Sequence, residues 1–207
     1  MRKRPIFITG IGTGVGKTIV SAVLVEKLKA DYWKPIQSGD LDNSDTSLVR
    51  TLVSNNISKF HPEAYRLTQA YSPHKSAALD GIRIDPENII QPETNNQLII
   101  EGAGGLMVPL NENFLMIDLI KKLDAEVFLV SKNYLGSINH TLMSVGILKS
   151  NGITLSRIIF SGEQDHDSEE IIRKHLKLES LNIPHFSTLN AEIISAFTEK
   201  MIWQDLP

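Results

Sequence analysis

The amino-acid sequence predicts an α/β fold in which a mostly parallel sheet is flanked by helices. Short apolar runs of strand length alternate along the chain with longer segments of helical periodicity, as in strands joined by crossover helices. The apolar runs are continuous in character, which is typical of strands covered on both faces. A chain of 207 residues with a hydrophobic content of 42% is long enough for a sizeable core, and we expect residues 1–207 to form one domain.

The predicted strands are apolar runs that each stop at a glycine, a proline or a polar residue. In chain order they lie at residues 6–9, 32–34, 97–101, 127–131 and 156–160. Apolar residues three and four apart predict helices at residues 17–29, 116–123, 139–150, 168–178 and 191–203. Residues 54–93 show little periodicity, and we expect loops there that cover a site.

Charge and composition exclude several classes of protein. The formal net charge is −3, from 21 Lys and Arg against 24 Asp and Glu, and no block of five like charges occurs, so we expect no nucleic-acid partner and no membrane partner. The chain has no cysteine, which excludes disulfides, thiolate metal centres and cysteine nucleophiles. The longest uncharged stretch, residues 133–148, is shorter than the about 20 apolar residues of a membrane span. We therefore expect a cytoplasmic protein.

A glycine-rich segment at residues 8–18, ITGIGTGVGKT, separates the first predicted strand from the first helix. Glycines let backbone N–H groups surround phosphate oxygens, Lys17 suits the β- and γ-phosphates, and the Thr18 hydroxyl suits Mg²⁺. The strict pattern has glycine at position 11, where this chain has Ile11, and Gly10 makes the loop one residue longer. A glycine-rich turn without a ligand is the alternative. The placement between strand and amphipathic helix favours a phosphate loop and hence a P-loop NTPase-like fold.

Two carboxylates are candidates for a magnesium–nucleotide site, which needs oxygen ligands near the phosphates. Glu101 ends a predicted strand, at the edge where open α/β sheets bind ligands, and the glycine-rich residues 102–105 let backbone approach a ligand closely. Asp45 follows the second predicted strand and fits either the same site or the N-cap of a helix that contains Leu48 and Val49.

Lys34 ends the second predicted strand, just before Pro35. Taken alone, this fragment favours a surface lysine whose ammonium reaches water over an anion-binding lysine. Lys34 belongs to an ordered set of short sequence fragments that begins with the phosphate loop at residues 9–18. The others are KPIQSG at 34–39, NSD at 43–45, SPH at 72–74, EGAGG at 101–105 and GSINH at 136–140. This ordered set resembles the dethiobiotin synthetase family of ATP-dependent ring-closing ligases.

The resemblance implies a magnesium- and ATP-dependent carboxylation of 7,8-diaminononanoate with CO₂. One amine captures CO₂ as a carbamate, the carbamate takes the γ-phosphate, and the second amine closes a ureido ring, with release of ADP and phosphate. It also implies a homodimer, in which the segment around Asn139 reaches the carboxylate tail of the substrate in the neighbouring subunit.

The resemblance further implies a role for each matching residue. Lys34 holds the carbamate, Lys17 spans the carbamate and the γ-phosphate, and Thr13 joins them as a catalytic residue that orients the substrate. Ser38 and Asn139 contact the substrate. The ATP contacts come from Gly14, Val15, Gly16, Lys17, Thr18, Ile19, Asp45, Glu101, Gly102, Ala103 and Gly104. Within this set, Thr18, Asp45 and Glu101 surround Mg²⁺.

One departure concerns the nucleotide base. Where the family has an amide-bearing pair after its fifth strand, this chain has Ser161 and Gly162. The resemblance thus leaves no obvious side chain to hydrogen-bond with the polar edge of the nucleotide base, and we expect weak discrimination among nucleotides.

Other functions remain as alternatives. A partner-switching ATPase of the same superfamily has an extra lysine near the start of its phosphate loop, and residues 10–16 contain none. A small-molecule kinase has several arginines in a lid, whereas Arg50, Arg66 and Arg83 are scattered here. The sequence pattern alone does not separate an enzyme from a non-enzymatic nucleotide-binding module.

Overall fold

The computed structural model of the protein describes residues 3–201. Its strands are β1 (Ile6–Gly10), β2 (Asp31–Trp33), β3 (Ile36–Ser38), β4 (Phe60–His61), β5 (Tyr65–Leu67), β6 (Leu98–Gly105), β7 (Pro109–Asn111), β8 (Phe114–Leu115), β9 (Glu126–Ser131), β10 (Leu155–Gly162) and β11 (Ser180–Pro184). Its helices are α1 (Lys17–Leu28), α2 (Asp45–Leu52), α3 (Pro73–Leu79), α4 (Met116–Lys122), α5 (Ser137–Ser150), α6 (His166–Leu176) and α7 (Ala191–Lys200), with short 3₁₀ helices at Leu41–Asn43 and Pro86–Asn88.

A seven-stranded parallel sheet lies at the centre, in the order β11-β10-β9-β1-β6-β2-β4. The register places Ile8 opposite Glu101, and Trp33 opposite Ile100, so that Lys34 is level with Glu101. The phosphate loop, which follows β1, therefore shares an edge of the sheet with both side chains. This register explains why groups from three distant parts of the sequence meet.

Apolar side chains cover both faces of this sheet, which explains the continuous apolar runs of its strands. Phe7, Trp33 and Ile100 belong to the core on one face, and Ile8 and Ile99 to the core on the other. Helix α1 packs between the second face and the outer helices α2 and α7, so most of its surface is buried. The predicted α/β fold, with its parallel sheet and flanking helices, is confirmed.

The predicted strands and helices are present, with shifts at their ends. Strand β6 continues to Gly105, so that Glu101 lies inside the strand and not at its end. Helix α5 begins before the predicted start because Gly136, at φ 104°, turns the chain into it. Helix α6 also begins early, since the Asp165 side chain caps it by accepting from the Ser168 N–H. The predicted end of the last helix, at Trp203, lies outside the described residues.

The prediction of loops over residues 54–93 is wrong in part. This stretch contains β4, β5, α3 and a 3₁₀ helix. These elements are short and are fixed by distant partners: the Trp33 indole donates to Pro62 O at 3.0 Å, and the Tyr65 hydroxyl donates to Asp85 O at 3.2 Å. Such contacts leave no local periodicity in the sequence. Across residues 3–201, no helix has both the length and the apolar character required to span a bilayer.

Candidate active site

The phosphate loop joins β1 to α1 through glycines whose backbone other residues adopt poorly. Gly14 and Gly16 have φ angles of 71° and 96°, in the left-handed region. A Cβ on Gly16 would also lie 2.3 Å from the Ser161 hydroxyl oxygen, so the loop packs directly against the end of β10. A Cβ on Gly10 would lie 2.5 Å from the Val15 side chain. Glycine at position 10 thus lets the longer loop fold back over its own start.

Lys17, the first residue of α1, lies over this loop. Its Nζ donates to Gly12 O at 3.0 Å, and the residue is 7% exposed. Burial is the main cause that lowers the pKa of Lys17 to about 8, and the positive charge of Lys34 lowers it further, while Glu101 and Asp45 oppose the shift. An anion bound in the loop would favour the charged form.

Lys34 lies between two carboxylates. Its Nζ is 2.5 Å from Asp45 Oδ2 and 3.1 Å from Glu101 Oε1; Lys34 and Glu101 are buried, and the Asp45 side chain is 30% exposed. Burial alone would lower the pKa of Lys34, but the two negative charges outweigh it and raise the pKa above its ordinary value. Burial likewise acts to raise the pKa of Asp45, and Lys34 more than offsets this and lowers it. Both shifts favour the charged forms of Lys34 and Asp45 at neutral pH.

Thr18 completes a group of oxygen atoms from three different elements. Its hydroxyl lies 2.7 Å from Asp45 Oδ1 and 3.0 Å from Glu101 Oε1. Two carboxylates and a hydroxyl beside a phosphate loop are hard ligands of the kind that Mg²⁺ takes together with water and phosphate oxygens. The donor set of this chain therefore fits a magnesium ion.

Two further side chains support the cluster, and sequence reasoning missed both. The Tyr32 hydroxyl donates to Glu101 Oε2 at 2.9 Å, and burial raises the pKa of Tyr32 well above its ordinary value. Gln37 accepts from the Asp45 N–H at 3.3 Å and donates to Gly39 O at 3.0 Å. A signal was available for Tyr32: alternate residues of a strand face the same side, and Tyr32 precedes Lys34 by two positions.

A cavity of about 690 Å³ opens beside these groups. The predicted site residues in its wall are Thr13, Gly14, Gly16, Lys17, Thr18, Ile19, Lys34, Ser38, Asp45, Glu101, Ala103 and Gly104. Leu48, Tyr71, Pro73 and Val108 add apolar surface. Within the described residues, the Ser38 hydroxyl is buried without a hydrogen-bond partner. The cavity thus combines an ionic end with an apolar wall. Tyr71 and Pro73, from the stretch of residues 54–93, form part of that wall.

A second cavity, of about 510 Å³, lies on the other side of the phosphate loop. Gly14, Gly16 and Ile19 line both cavities, and Val15 lines the second. The rest of its wall is formed by Lys132, Asn133, Ser161, Gly162, Glu163, Pro184, His185, Phe186 and Leu189. Of the predicted residues, all of which the structure describes, Gly102 and Asn139 line neither cavity. Gly102 packs against Phe7, and Asn139 is exposed on α5.

The amide groups near the second cavity are engaged by one buried carboxylate. Glu169, 1% exposed, accepts from Asn133 Nδ2 at 2.9 Å and from Asn182 Nδ2 at 2.7 Å. Asn133 Nδ2 also donates to Glu163 O at 3.0 Å, and Arg173 donates to Asn182 Oδ1 at 3.0 Å. The cavity is large enough for a small ligand. Both polar atoms of the Asn182 amide are bound to the protein, as is Asn133 Nδ2, whereas Asn133 Oδ1 is buried without a hydrogen-bond partner among residues 3–201.

Comparison with known proteins gives the following likenesses. A family model described as an AAA domain matches residues 4–192. ATP-dependent dethiobiotin synthetase BioD of Christiangramia forsetii is 58% identical over 168 residues, 81% of each chain. The protein of the same name from Cytophaga hutchinsonii is 47% identical over 197 residues, covering 94% of this chain and 95% of that relative.

Two solved structures have the same fold. A ParA family ATPase from Chlorobium tepidum matches with a TM-score of 0.55 and 15% identity, covering 96% of this chain and 100% of that one. The septum site-determining protein MinD from Pyrococcus horikoshii, complexed with Mg-ADP, matches with a TM-score of 0.57 and 15% identity over 95% of each chain. At this identity the two likenesses show the P-loop fold alone.

Proposed function

The chain belongs to the dethiobiotin synthetase family of ATP-dependent ligases that form carbon–nitrogen bonds, and we propose that it converts 7,8-diaminononanoate, CO₂ and ATP to dethiobiotin with Mg²⁺. The observation that carries the proposal is the meeting of two lysines, Lys17 and Lys34, with three oxygen ligands in one cavity beside the phosphate loop. A reaction whose intermediates are all anions requires this concentration of positive charge.

The two cavities suggest how the substrates divide the site. The triphosphate of ATP occupies the phosphate loop, which lines both cavities, and the base and ribose occupy the second cavity. The diamine occupies the first cavity, where Leu48, Pro73 and Val108 face its hydrocarbon chain. Thr13 and Ser38 orient its amines. Thr18, Asp45 and Glu101 hold Mg²⁺, directly or through water, and the bound ion neutralises charge on the β- and γ-phosphates.

The chemistry then follows from charge. One amine attacks CO₂ and loses a proton, which gives a carbamate that the Lys34 ammonium binds. A carbamate oxygen attacks the γ-phosphorus while Lys17 spans both groups, so that ADP leaves and a carbamic–phosphoric anhydride forms. The second amine attacks the anhydride carbon and loses a proton, phosphate leaves, and the ureido ring closes. Each lysine is a preorganised positive charge that offsets the negative charge of these groups in a site with little water.

Phosphate release tests the proposal against a partner-switching ATPase. Purified protein with ATP and Mg²⁺ should release phosphate at a substantial rate when both the diamine and bicarbonate are present, and little when either is omitted. A rate of phosphate release that neither the diamine nor bicarbonate changes would support the partner-switching ATPase instead.

We also propose that the protein acts as a homodimer. Next to Asn139, Leu135 is fully exposed and Tyr134 and Met143 are 43% and 56% exposed, which gives this end of α5 an apolar surface suited to a partner. In such a dimer, Asn139 completes the substrate site of the neighbouring subunit, where it binds the carboxylate tail.

Sedimentation at micromolar concentration should give a species of twice the 23.1 kDa chain mass. Asn139→Ala should raise the KM for the diamine by about 10–100-fold with a smaller change in kcat, since a hydrogen bond to a charged group is worth about 1.5–3 kcal/mol. Asn88→Ala, at an exposed position outside both cavities, is the control. A monomer in solution, or an unchanged KM in Asn139→Ala, would contradict the proposal.

Nucleotide choice is expected to be loose. The Ser161 hydroxyl packs against the phosphate loop, and the amide nitrogens of Asn133 and Asn182 are bound to Glu169. Of these two amides, only Asn133 Oδ1 lacks a partner in the part of the chain that the structure describes, so base recognition rests mainly on shape. Shape alone is worth about 1–3 kcal/mol, so GTP or CTP should support the reaction at rates within about tenfold to a hundredfold of ATP. Values of kcat/KM for the four nucleotides decide this. An ATP preference beyond about a thousandfold would mean that a polar group reads the base.

A further inference from the structure

Tyr32 is a buried residue of β2 whose hydroxyl reaches the ionic cluster. The side chain is 0% exposed, and its ring lies 6.2 Å from that of Phe60, within the apolar core on one face of the sheet. At the other end of the ring, the hydroxyl donates to Glu101 Oε2 at 2.9 Å. Burial of the Tyr32 hydroxyl next to an apolar layer would cost free energy if the hydroxyl did not donate this hydrogen bond to Glu101.

The two oxygens of Glu101 have different partners. Oε1 lies 3.0 Å from the Thr18 hydroxyl and 3.1 Å from Lys34 Nζ, on the side of the first cavity. Oε2 accepts from Tyr32, on the side of the core. The terminal torsion of a glutamate is intrinsically broad, so two partners on opposite sides are what fixes its rotation.

We propose that Tyr32 is a positioning residue, which holds Glu101 so that Oε1 faces Thr18, Lys34 and a bound magnesium ion. The proposal rests on the proposed function for the role of the ion. Tyr32 touches no substrate and acts through Glu101. Without its hydroxyl, Oε2 loses a buried hydrogen bond and the carboxylate rotates more freely. Loss of a hydrogen-bond partner behind a metal ligand typically weakens metal binding or activity by about 10–100-fold.

Tyr32→Phe tests this role because it removes the hydroxyl and keeps the ring in the core. The affinity for ADP is measured by calorimetry in EDTA and again in saturating Mg²⁺, for the wild type and the variant. In EDTA the two should bind ADP equally. The increase in affinity that Mg²⁺ gives should be smaller in Tyr32→Phe by about 10–100-fold. Tyr65→Phe is the matched control, since its hydroxyl bonds to the Asp85 backbone, away from both cavities, and its magnesium effect should equal that of the wild type.

A double-mutant cycle with Glu101→Gln tests whether Tyr32 acts through Glu101. Glu101→Gln should itself raise the magnesium requirement, and Tyr32→Phe should add little in that background. Additive effects would overturn the proposal, as would an unchanged magnesium effect in Tyr32→Phe or an equal loss of affinity with and without Mg²⁺. The binding cycle needs no diamine, so its result is independent of whether the wild type forms dethiobiotin.

Discussion

Lys34→Ala is expected to lower the rate of dethiobiotin formation by about 10²–10³-fold. Lys34 is charged, 5% exposed and held by Asp45 and Glu101, so its ammonium is preorganised where the carbamate forms. Removal of a preorganised charge that meets developing negative charge costs about this factor. The rate is measured with all substrates saturating, and Lys174→Ala, at an exposed helix position, is the control.

The same substitution should also lower the free energy of unfolding. Without the ammonium, the Glu101 carboxylate remains buried beside Asp45 and has lost its ion-pair partner. Loss of one partner of a buried ion pair costs about 3–5 kcal/mol of stability. Lys34→Gln separates the two effects, because its amide carries no charge but can still donate a hydrogen bond to a carboxylate. It should retain more stability than Lys34→Ala and show a similar loss of rate. Turnover of either variant within tenfold of the wild type would remove Lys34 from the mechanism.

Lys17→Ala is expected to show a similar loss of rate, about 10²–10³-fold, with a different accompanying effect. Lys17 donates to Gly12 O and has no carboxylate partner within hydrogen-bond distance among residues 3–201, so its loss should leave the free energy of unfolding nearly unchanged. Because the proposal places Lys17 on both the γ-phosphate and the carbamate, the variant should raise the KM for ATP and also lower kcat.

Steady-state kinetics at saturating diamine and bicarbonate separate the two parameters. A variant that recovers kcat to within tenfold at high ATP would show that Lys17 contributes to nucleotide binding alone. Urea unfolding of the same preparation checks that the fold is retained.

The sequence predicted the parts of the site that depend on local patterns. A phosphate loop, a lysine ending a strand and an acidic residue in an apolar run are each visible in a few residues, and parallel strands bring their ends together. The role of Asp45 was left open between a helix cap and a ligand. In the structure, Ser44 caps α2 by accepting from the Ser47 N–H, which leaves the Asp45 carboxylate for Lys34 and Thr18.

The parts that sequence reasoning missed depend on contacts between residues that are far apart in the sequence. The alternation of a strand places Tyr32 on the same side as Lys34, but whether its hydroxyl reaches Glu101 depends on how β2 and β6 pair. The short elements of residues 54–93 were missed for the same reason, since Pro62 and Tyr65 are held by Trp33 and Asp85. Contacts between positions far apart in the chain leave no periodic signal.

Incorporation of ¹³C from labelled bicarbonate tests the central claim most directly. Purified protein is supplied with 7,8-diaminononanoate, ATP, Mg²⁺ and ¹³C-bicarbonate, and product mass and released phosphate are measured together. The account predicts dethiobiotin with the label in its ureido carbon, formed in equal amount to ADP and phosphate, and formed about 10²–10³-fold more slowly with Lys34→Gln. Phosphate released without a labelled ring product would contradict it.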